Sequence, residues 1–362
     1  MKKFVKIVAV LLSITLMASC FTACVKSNEK EPTKPVNPND FRVTAYIICA
    51  DEKNIPTFDF SHFSQVTDFI LFSAATFDEQ GNVKVNDNLS LWVDAIKNAA
   101  VDNKTARFYI NILGPDGNTT SDDWNKQMSA KGDSHAKAFK SGVLEQNIKD
   151  VLEKYEFDGV FFDYEYPLKN KHWKAFDNFL ISLDKVLGDE YKIGSSIASW
   201  NLKQSKKAID VIDLATIMSY DLWDDEGDHA SVQLAKDDIE KVRKAGYDMS
   251  KVDLGVPFYA RPTTHEAFWY DYKTYIEDID QKGFYVDKGL KEDGTEKTGL
   301  TFKFNSPEMI KEKTDLALEQ GLGGIMIWHY SCDVSSNDDR SLFNAIDNQK
   351  QLAIDNAQNK WY

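Results

Sequence analysis

Basic residues are in short supply in this sequence. Its 362 residues include 43 Lys and Arg against 57 Asp and Glu, which gives a net charge of −14. A surface that binds nucleic acid needs a basic excess, so this balance argues against a nucleic-acid partner and fits a neutral one better. Glycine and proline are also sparse, at 18 and 9 residues, while 43% of the residues are hydrophobic. The composition therefore excludes a mainly disordered chain and predicts a globular one.

Sequence signatures of cofactor binding are missing as well. The chain contains no phosphate-binding loop and no dinucleotide fingerprint, and its 6 histidines show no metal-ligand spacing. We therefore expect no metal ion and no cofactor.

Long apolar runs are scarce, and the one at the N terminus is short. Three lysines precede an apolar stretch over residues 7–17, and Cys20 and Cys24 follow among small residues. This order is typical of an export signal, and the stretch is too short for a finished transmembrane helix. A Cys after small residues resembles a bacterial lipobox. We predict a lipoprotein-type signal peptide over residues 1–24, with the lipid on Cys24 or on Cys20; a plain secretory signal is the alternative.

The stretch that follows, residues 25–40, is polar throughout and carries three prolines spaced three residues apart. Such a composition buries too little apolar surface to fold and favours an extended, semi-rigid spacer. We predict a linker here, followed by one globular domain over residues 41–362. The order of signal, spacer and domain predicts a protein at a bacterial cell surface or secreted, with membrane contact only through its lipid anchor.

Eight short runs rich in β-branched and aromatic residues alternate with amphipathic helical patterns after the linker. Apolar strands separated by helices predict a parallel sheet covered by helices, and eight such units in one domain predict an α/β fold, a (β/α)8 TIM barrel. A doubly wound open sheet is the alternative. A short insertion separates strand 7 from helix 7, between Arg261 and Phe302. The strand runs cover residues 43–48, 66–73, 107–113, 159–164, 192–198, 214–219, 252–258 and 324–329.

Polar residues recur at the carboxyl ends of these runs. In a TIM barrel the chemistry lies at that end, so the clustering supports both the fold and a site there. The residues concerned are Asp163 and Glu165, Tyr220 and Asp221, Tyr259 and Arg261, and Trp328 with Asp333.

The fourth run carries the strongest chemical pattern. Side chains alternate along a strand, so Phe161, Asp163 and Glu165 lie on one face. Two carboxylates on one face of an apolar strand are costly to bury, and they split their pKa values so that one can act as a general acid. The alternative is an acid pair at a strand end that forms salt bridges or caps the next helix.

The segment Asp158–Glu165 reads DGVFFDYE and resembles the DGxDxDxE signature of glycoside hydrolase family 18. Four of the five specified positions match, and Phe161 stands where the family has its second Asp. The resemblance implies that Glu165 protonates the glycosidic oxygen and that Asp163 orients the substrate's acetamido group. The departure at Phe161 removes a partner with which Asp163 would share its proton, so an altered pH profile is expected.

Further segments resemble the family in the expected order, over residues from Phe41 to about Leu352. They are residues 217–221, 255–261 and 323–328, while Asn111–Gly114 is a weak counterpart of the family's SxGG. The resemblance adds Tyr220 and Asp221 to the catalytic group. Together with aromatic side chains placed in loops, it predicts substrate contacts from Asp158, Tyr166, Trp200, Trp223, Tyr259, Arg261, Trp328, Asn111 and Tyr46.

The family is a substrate-assisted exception among retaining glycosidases, so no carboxylate nucleophile is implied. The 2-acetamido oxygen would attack the anomeric carbon to form an oxazolinium ion while Glu165 acts first as acid and then as base. The implied partner is a poly- or oligosaccharide that contains N-acetylglucosamine, cleaved at β-1,4 bonds. Chitin or its oligomers and the N-glycan core remain alternative substrates.

The position of a tryptophan in the sequence predicts whether it lines a groove or lies in the core. Trp200 and Trp223 follow strands and are expected to line a groove, as is Trp124 on weaker grounds, while Trp92 and Trp173 lie on helical patterns and are expected in the core. Four aromatic residues of the insertion are expected to form one wall of an open, endo-acting cleft: Phe268, Trp269, Tyr270 and Tyr272.

Two other classes of function remain open, a non-catalytic chitin- or GlcNAc-binding lectin and a lipid-anchored solute-binding protein. We expect a monomer. Cys49 and Cys332 end neighbouring strands; free buried thiols are expected, with a disulfide as the alternative.

Overall fold

The structure, a computed structural model, describes residues 36–49, 52–165, 169–265, 268–287 and 299–359. The predicted signal peptide, both candidate lipidation cysteines and most of the predicted linker lie outside these residues. Among the described helices, none has the length and apolar character needed to cross a bilayer.

All eight predicted strands are present, and together they form a closed parallel barrel. Each strand pairs with the next one along the chain, and the last pairs with the first. The TIM barrel is therefore confirmed, and the open doubly wound sheet is wrong. The strands are β1 (Arg42–Ile48), β2 (Asp68–Phe77), β3 (Arg107–Leu113), β4 (Gly159–Phe162), β5 (Lys192–Ile197), β6 (Leu214–Ile217), β7 (Val252–Pro257) and β8 (Gly324–Trp328).

Helices cover the outside of the barrel and bury their apolar stripes against it. In α4, for example, Phe176, Leu180, Leu183 and Leu187 are all buried, at a spacing that keeps them on one face. The helices are α1 (Leu89–Ala99), α2 (Trp124–Ala138), α3 (Leu144–Tyr155), α4 (Asn170–Leu187), α5 (Lys206–Asp210), α6 (Val232–Lys244), α7 (Tyr272–Tyr275), α8 (Pro307–Glu319) and α9 (Leu342–Asn359).

The barrel has two apolar cores. The larger one lies between the sheet and the helices. The smaller one fills the inside of the barrel, and half of its buried members are aromatic, so the barrel is packed and is not a channel. Its buried members are Tyr46, Ile70, Tyr109, Phe161, Leu214 and Met326.

Ion pairs hold the base of the barrel, where the strands begin. Arg42 bonds the buried Asp253 at 2.6 Å, and Thr44 bonds the second oxygen of the same carboxylate at 2.6 Å. Arg107 forms a second pair with the buried Asp68, through bonds of 2.7 and 2.8 Å. Charges buried at this depth need such partners, so the polar residues of the base serve stability.

The insertion predicted between strand 7 and the following helix is confirmed, between β7 and α8. It contains the antiparallel pair Tyr259–Ala260 and Tyr270–Asp271, helix α7, and a second antiparallel pair of Phe284–Asp287 with Leu300–Lys303. The first pair lies directly after β7, so it brings part of the insertion to the carboxyl end of the barrel.

Two smaller features of this domain concern its first described residues and its cysteines. At the end of the predicted linker, Pro38–Asp40 forms a 3-10 helix and Val36 packs against the core. This 3-10 helix contacts α9, so both ends of the domain meet at the base of the barrel. Cys49 and Cys332 are free and buried, as expected, and the disulfide is not formed.

Candidate active site

A pocket of about 420 Å³ opens at the carboxyl end of the barrel strands. Its walls combine two acids of the fourth strand with aromatic side chains from several other strand ends. The lining residues are Tyr46, Asp163, Glu165, Ser196, Trp200, Met218, Tyr220, Asp221, Leu222, Arg261, Trp269 and Trp328. A second cavity of about 370 Å³ lies beside the 3-10 helix Glu52–Thr57 and contains neither acid of the fourth strand.

Asp163 and Glu165 follow β4 and face the pocket together, as the alternation along the strand predicted. Asp163 as a whole is half-buried, but its carboxylate oxygen Oδ1 is fully buried. Burial, and then the negative charge of Glu165, raise the pKa of Asp163 to about 7. The two carboxyl groups therefore share one proton near neutral pH, which is the state a general acid requires.

Ser196 lies beside this acid pair. Phe162 pairs with Ser195 in the sheet, so the next residues along the two strands, Asp163 and Ser196, are neighbours. Hydrogen bonding to the Ser196 hydroxyl opposes the rise in the pKa of Asp163. The same hydroxyl lies 3.0 Å from the hydroxyl of buried Tyr46, so Tyr46 and Ser196 form a polar support under Asp163.

Phe161 occupies the space below the acid pair. It is fully buried, and its ring packs edge-on against Tyr46 and Tyr109, with centroids 5.7 and 6.5 Å apart. A side-chain carbon on Gly194 of the neighbouring strand would collide with this ring, so a glycine is required there. The position that carries an acid in the family signature is therefore part of the apolar core in this chain.

Asp221 is the third carboxylate of the pocket, and both of its oxygens accept hydrogen bonds. Its carboxylate accepts hydrogen bonds from the Tyr259 hydroxyl at 2.6 Å and from both Nε and Nη2 of Arg261, the latter at 2.7 Å. Burial alone would raise the pKa of Asp221, but these bonds hold it well below its usual range. Asp221 is thus an ionised, fixed anion.

Three tryptophans border the pocket. Trp328 ends β8 and packs edge-on against Tyr46 at 5.1 Å. Trp200, beyond β5, is 52% exposed, and Trp269 of the insertion is 39% exposed. The centroid of the Trp269 ring lies 5.1 Å from that of Tyr259. Of the four aromatic residues predicted to form a wall of the cleft, only Trp269 lines the pocket, and Tyr270 and Tyr272 are buried. These exposed rings offer flat apolar surfaces to a ligand.

The structure brings most of the predicted site residues together, but three lie elsewhere. Asp158 precedes β4 at the base, where its carboxylate accepts the backbone N–H of Phe108 at 2.7 Å. Trp223 does not line the pocket, because its Nε1 donates to the Pro262 carbonyl at 3.1 Å and its ring stacks on His265. The predicted roles of both residues in substrate binding are corrected accordingly.

Asn111 is the third predicted site residue that lies outside the pocket. It is fully buried, accepts the backbone N–H of Ser73 at 3.2 Å and donates to the Phe161 carbonyl at 3.3 Å. It therefore links neighbouring strands below the pocket and does not face a ligand. Tyr166, another predicted contact, lies outside the described residues.

Other positional predictions have clear outcomes. Trp92 and Trp173 are buried, as expected of core residues. Trp124 begins α2 and does not line the pocket. Asp333 is buried and accepts the backbone N–H groups of Leu342 and Phe343, so it caps α9 and does not belong to this site.

Sequence reasoning missed three residues that line the pocket: Ser196, Met218 and Leu222. Ser196 had a usable signal, because it lies two residues after Gly194 on the face of β5 that points into the barrel. Met218 and Leu222 flank a polar strand end and carry no chemical pattern of their own. Among the described residues, no group of three or more His, Cys, Asp or Glu side chains is placed to hold a metal ion.

Comparison with curated proteins finds chitinases. Probable chitinase 2 of Drosophila melanogaster is 28% identical over 159 residues, which cover 38% of this chain and 33% of that protein. Chitinase 63 of Streptomyces plicatus is 24% identical over 239 residues, covering 53% of this chain and 38% of that protein. The chain thus matches only about a third of the length of either relative.

Solved structures agree on the fold. A GH18 chitinase from the chitin utilization locus of Flavobacterium johnsoniae superposes with a TM-score of 0.65 at 20% identity, covering 88% of this chain and 94% of that one. A chitinase from Bacteroides thetaiotaomicron gives a TM-score of 0.62 at 19% identity, covering 86% and 96%. The family model described as glycosyl hydrolases family 18 matches residues 42–333, nearly the whole barrel. The chain belongs to glycosyl hydrolase family 18.

Proposed function

We propose that this protein is a retaining glycoside hydrolase that cleaves β-1,4 bonds next to N-acetylglucosamine in chitin or chitooligosaccharides. The observation that carries the proposal is the pairing of Glu165 with Asp163 in a pocket whose remaining carboxylate, Asp221, is neutralised by Arg261. Among the described residues, the pocket therefore contains no further acid that could act as a separate nucleophile. That arrangement fits substrate-assisted catalysis.

The proposed reaction has two steps. The acetamido oxygen of the substrate bonds to the anomeric carbon while the glycosidic bond breaks, and the proton of Glu165 goes to the leaving oxygen. Water then bonds to the anomeric carbon while the bond from that carbon to the acetamido oxygen breaks, and the water gives a proton to Glu165, which restores both the acetamido group and the acid. Asp163 accepts the amide N–H and offsets the positive charge that develops, so it must be ionised when the acetamido group attacks.

Two structural neighbours support the substrate class. A catalytic domain of an Ostrinia furnacalis Group II chitinase has been solved in complex with a five-sugar N-acetylglucosamine ligand. YKL-39 has been solved in the presence of chitooligosaccharides. The positions of Trp200 and Trp269 on the border of the pocket are consistent with an endo-acting groove that stacks successive sugars.

Export is part of the proposal. A relative from Penicillium expansum, 30% identical over 148 residues, is named a secreted chitinase. Together with the N-terminal signal pattern, this supports an extracytoplasmic protein held by a lipid on Cys24 or Cys20. Metabolic labelling with a fatty-acid analogue would place the lipid, and a chain in which both cysteines are changed to serine should remain unlabelled.

The substrate is tested by incubating the full chain with chitopentaose, with cellopentaose and with a high-mannose glycoprotein. We expect cleavage of chitopentaose with retention of configuration and none of cellopentaose, because the latter has no acetamido group. Release of high-mannose glycans alone would instead assign an endo-β-N-acetylglucosaminidase. Binding of chitopentaose without cleavage would overturn the enzyme in favour of a lectin.

The pKa of Asp163 predicts the pH dependence. Above pH about 7 the acid pair loses its last proton, so kcat/KM should fall on the alkaline side of this value. A Ser196→Ala change removes the hydroxyl that opposes the rise in the pKa of Asp163. We therefore expect the alkaline limb of its pH profile to move to higher pH.

Ser195→Ala is the matched control for this measurement. Ser195 lies on the same strand but faces away from the barrel interior, and its hydroxyl bonds the Ser196 carbonyl at 3.1 Å. It should lose some stability and keep the wild-type pH profile. If the alkaline limb of the kcat/KM profile lies at the same pH in Ser196→Ala and in Ser195→Ala, Ser196 does not act on Asp163.

A further inference from the structure

The loop after β6, residues 221–230, holds a buried histidine directly behind Asp221. The loop folds back on itself, with Trp223 bridged to His229 and the N–H of Ala230 bonded to the Leu222 carbonyl at 2.9 Å. His229 is fully buried at the end of this loop. It does not line the pocket, and no step of the proposed reaction uses it.

His229 contacts both the backbone and the carboxylate of Asp221. Nε2 of His229 accepts the N–H of Asp221 at 3.1 Å, while the Asp221 carboxylate is 3.5 Å from the same nitrogen. The rings of Trp223 and Tyr259 pack against the imidazole in tilted orientations, with centroids 5.9 and 5.5 Å from its own.

Both ends of the loop have left-handed backbone at residues other than glycine. Asp221 has φ of 59° and Ala230 has φ of 51°. Such conformations are strained for residues other than glycine and persist where neighbouring contacts fix them. At Ala230 that contact is Nζ of buried Lys313, which bonds the Ala230 carbonyl at 2.5 Å. At Asp221 the contact on the backbone is His229.

The hydrogen bond determines which form of the imidazole is present. Because Nε2 accepts an N–H, it carries no proton, and the neutral ring holds its proton on Nδ1. Burial lowers the pKa of His229, Lys313 and Arg261 lower it further, and the carboxylate of Asp221 opposes them. The neutral form is therefore the one present at neutral pH.

We propose that His229 is a positioning residue for the reaction: its unprotonated Nε2 holds the backbone of Asp221 in the left-handed conformation that directs the carboxylate to Arg261 and Tyr259. Protonation of Nε2 removes this acceptor and places an N–H against the N–H of Asp221. The carboxylate then has a cation at 3.5 Å that competes with Arg261. This inference rests on the proposed hydrolysis and adds a residue that acts on it from outside the pocket.

The test compares two variants of the full chain. Gln carries a carbonyl acceptor at about the position of Nε2 and does not titrate, whereas Leu has a similar volume and no acceptor. We expect His229→Leu to lower kcat/KM on chitopentaose by about 10- to 100-fold, the loss typical of a displaced active-site group. His229→Gln should recover most of it. In deuterium-exchange measurements, peptides that include Asp221 should exchange faster in His229→Leu than in the wild type, and at wild-type rate in His229→Gln.

Acidification gives a second comparison. Below the pH at which His229 takes up its proton, followed by NMR of a chain with ¹⁵N-labelled histidine, exchange at Asp221 should be faster in the wild type than in His229→Gln, since only the histidine loses its acceptor. His62→Gln is the control, because His62 is also buried but bonds Gln65 and the Val334 carbonyl, away from the acid pair. It should change neither rate nor exchange at Asp221.

The outcomes separate this inference from the proposed function. If the wild type does not cleave chitopentaose, the function fails, and the exchange data still decide whether His229 holds Asp221. If the wild type cleaves it and a folded His229→Leu variant keeps wild-type kcat/KM and exchange at Asp221, the positioning role is wrong. If the His229→Leu variant fails to fold, the comparison between wild type and His229→Gln below the pH at which His229 takes up its proton decides, and equal exchange there overturns the proposal.

Discussion

Replacing Glu165 with Gln should lower kcat on chitopentaose by about 10²- to 10⁴-fold, the range that a general acid contributes. Gln keeps the shape of the side chain but has no proton to give to the leaving oxygen. Glu165 is the residue on β4's extension that reaches the pocket beyond Asp163, and its charge is one cause of the raised pKa of Asp163. Single-turnover cleavage followed by chromatography of the products would measure the loss.

Binding should survive this change. Because Trp200, Trp269 and Trp328 remain in place, the affinity of Glu165→Gln for chitopentaose, measured by calorimetry, should stay close to that of the wild type. Glu153→Gln, on the surface of α3, is the matched control and should be fully active. Comparable activity in Glu165→Gln and Glu153→Gln would remove Glu165 from the mechanism.

An Asp163→Asn change should cost about 10²- to 10³-fold in kcat, as removal of one group that stabilises a transition-state charge typically does. Asn cannot offset the positive charge that forms on the acetamido nitrogen. The same change should raise stability near pH 7, because it removes a carboxyl group whose Oδ1 is buried.

The sign of that stability effect follows from the pKa. The unfolded chain releases the proton of Asp163 near pH 4, whereas the folded protein keeps it up to about pH 7. Stability of the wild type therefore declines as pH rises through this window. The difference in Tm between Asp163→Asn and wild type should grow from pH 4 to pH 7.

Asp177→Asn controls for burial. Asp177 also has a raised pKa because it is buried, but it lies on α4 and accepts the N–H of Ser205 at 2.9 Å. This variant should keep its kcat. A parallel loss of kcat in both Asn variants would mean that folding, and not charge at Asp163, controls the rate.

The barrel could be predicted from the sequence because its strands are short, apolar and separated by amphipathic helices. The acid pair could be predicted because the alternation along β4 places Asp163 and Glu165 on one face. In both cases a local periodicity of the sequence determines the structure: the alternation of strands and helices determines the barrel, and the alternation of side chains determines the position of the acid pair.

Predictions failed where an outcome depends on distant parts of the chain. Asp158 belongs to the same signature as Glu165, yet it lies at the opposite end of the strand and bonds the Phe108 N–H. Trp223 follows a strand end as expected of a groove residue, but Pro262 and His265 from another loop turn it away. His229 could not be assigned to the site because its link to Asp221 depends on a backbone bond across a folded loop.

The meeting of both domain ends at the base makes the barrel a module that can be joined to other proteins. Val36 and the end of α9 lie on the side opposite the pocket, so a fusion partner attached at either end would leave the cleft unobstructed. The loops above the strands could then be exchanged without disturbing the attachment. A barrel attached at its base therefore presents its pocket freely to a ligand of any size on the opposite face.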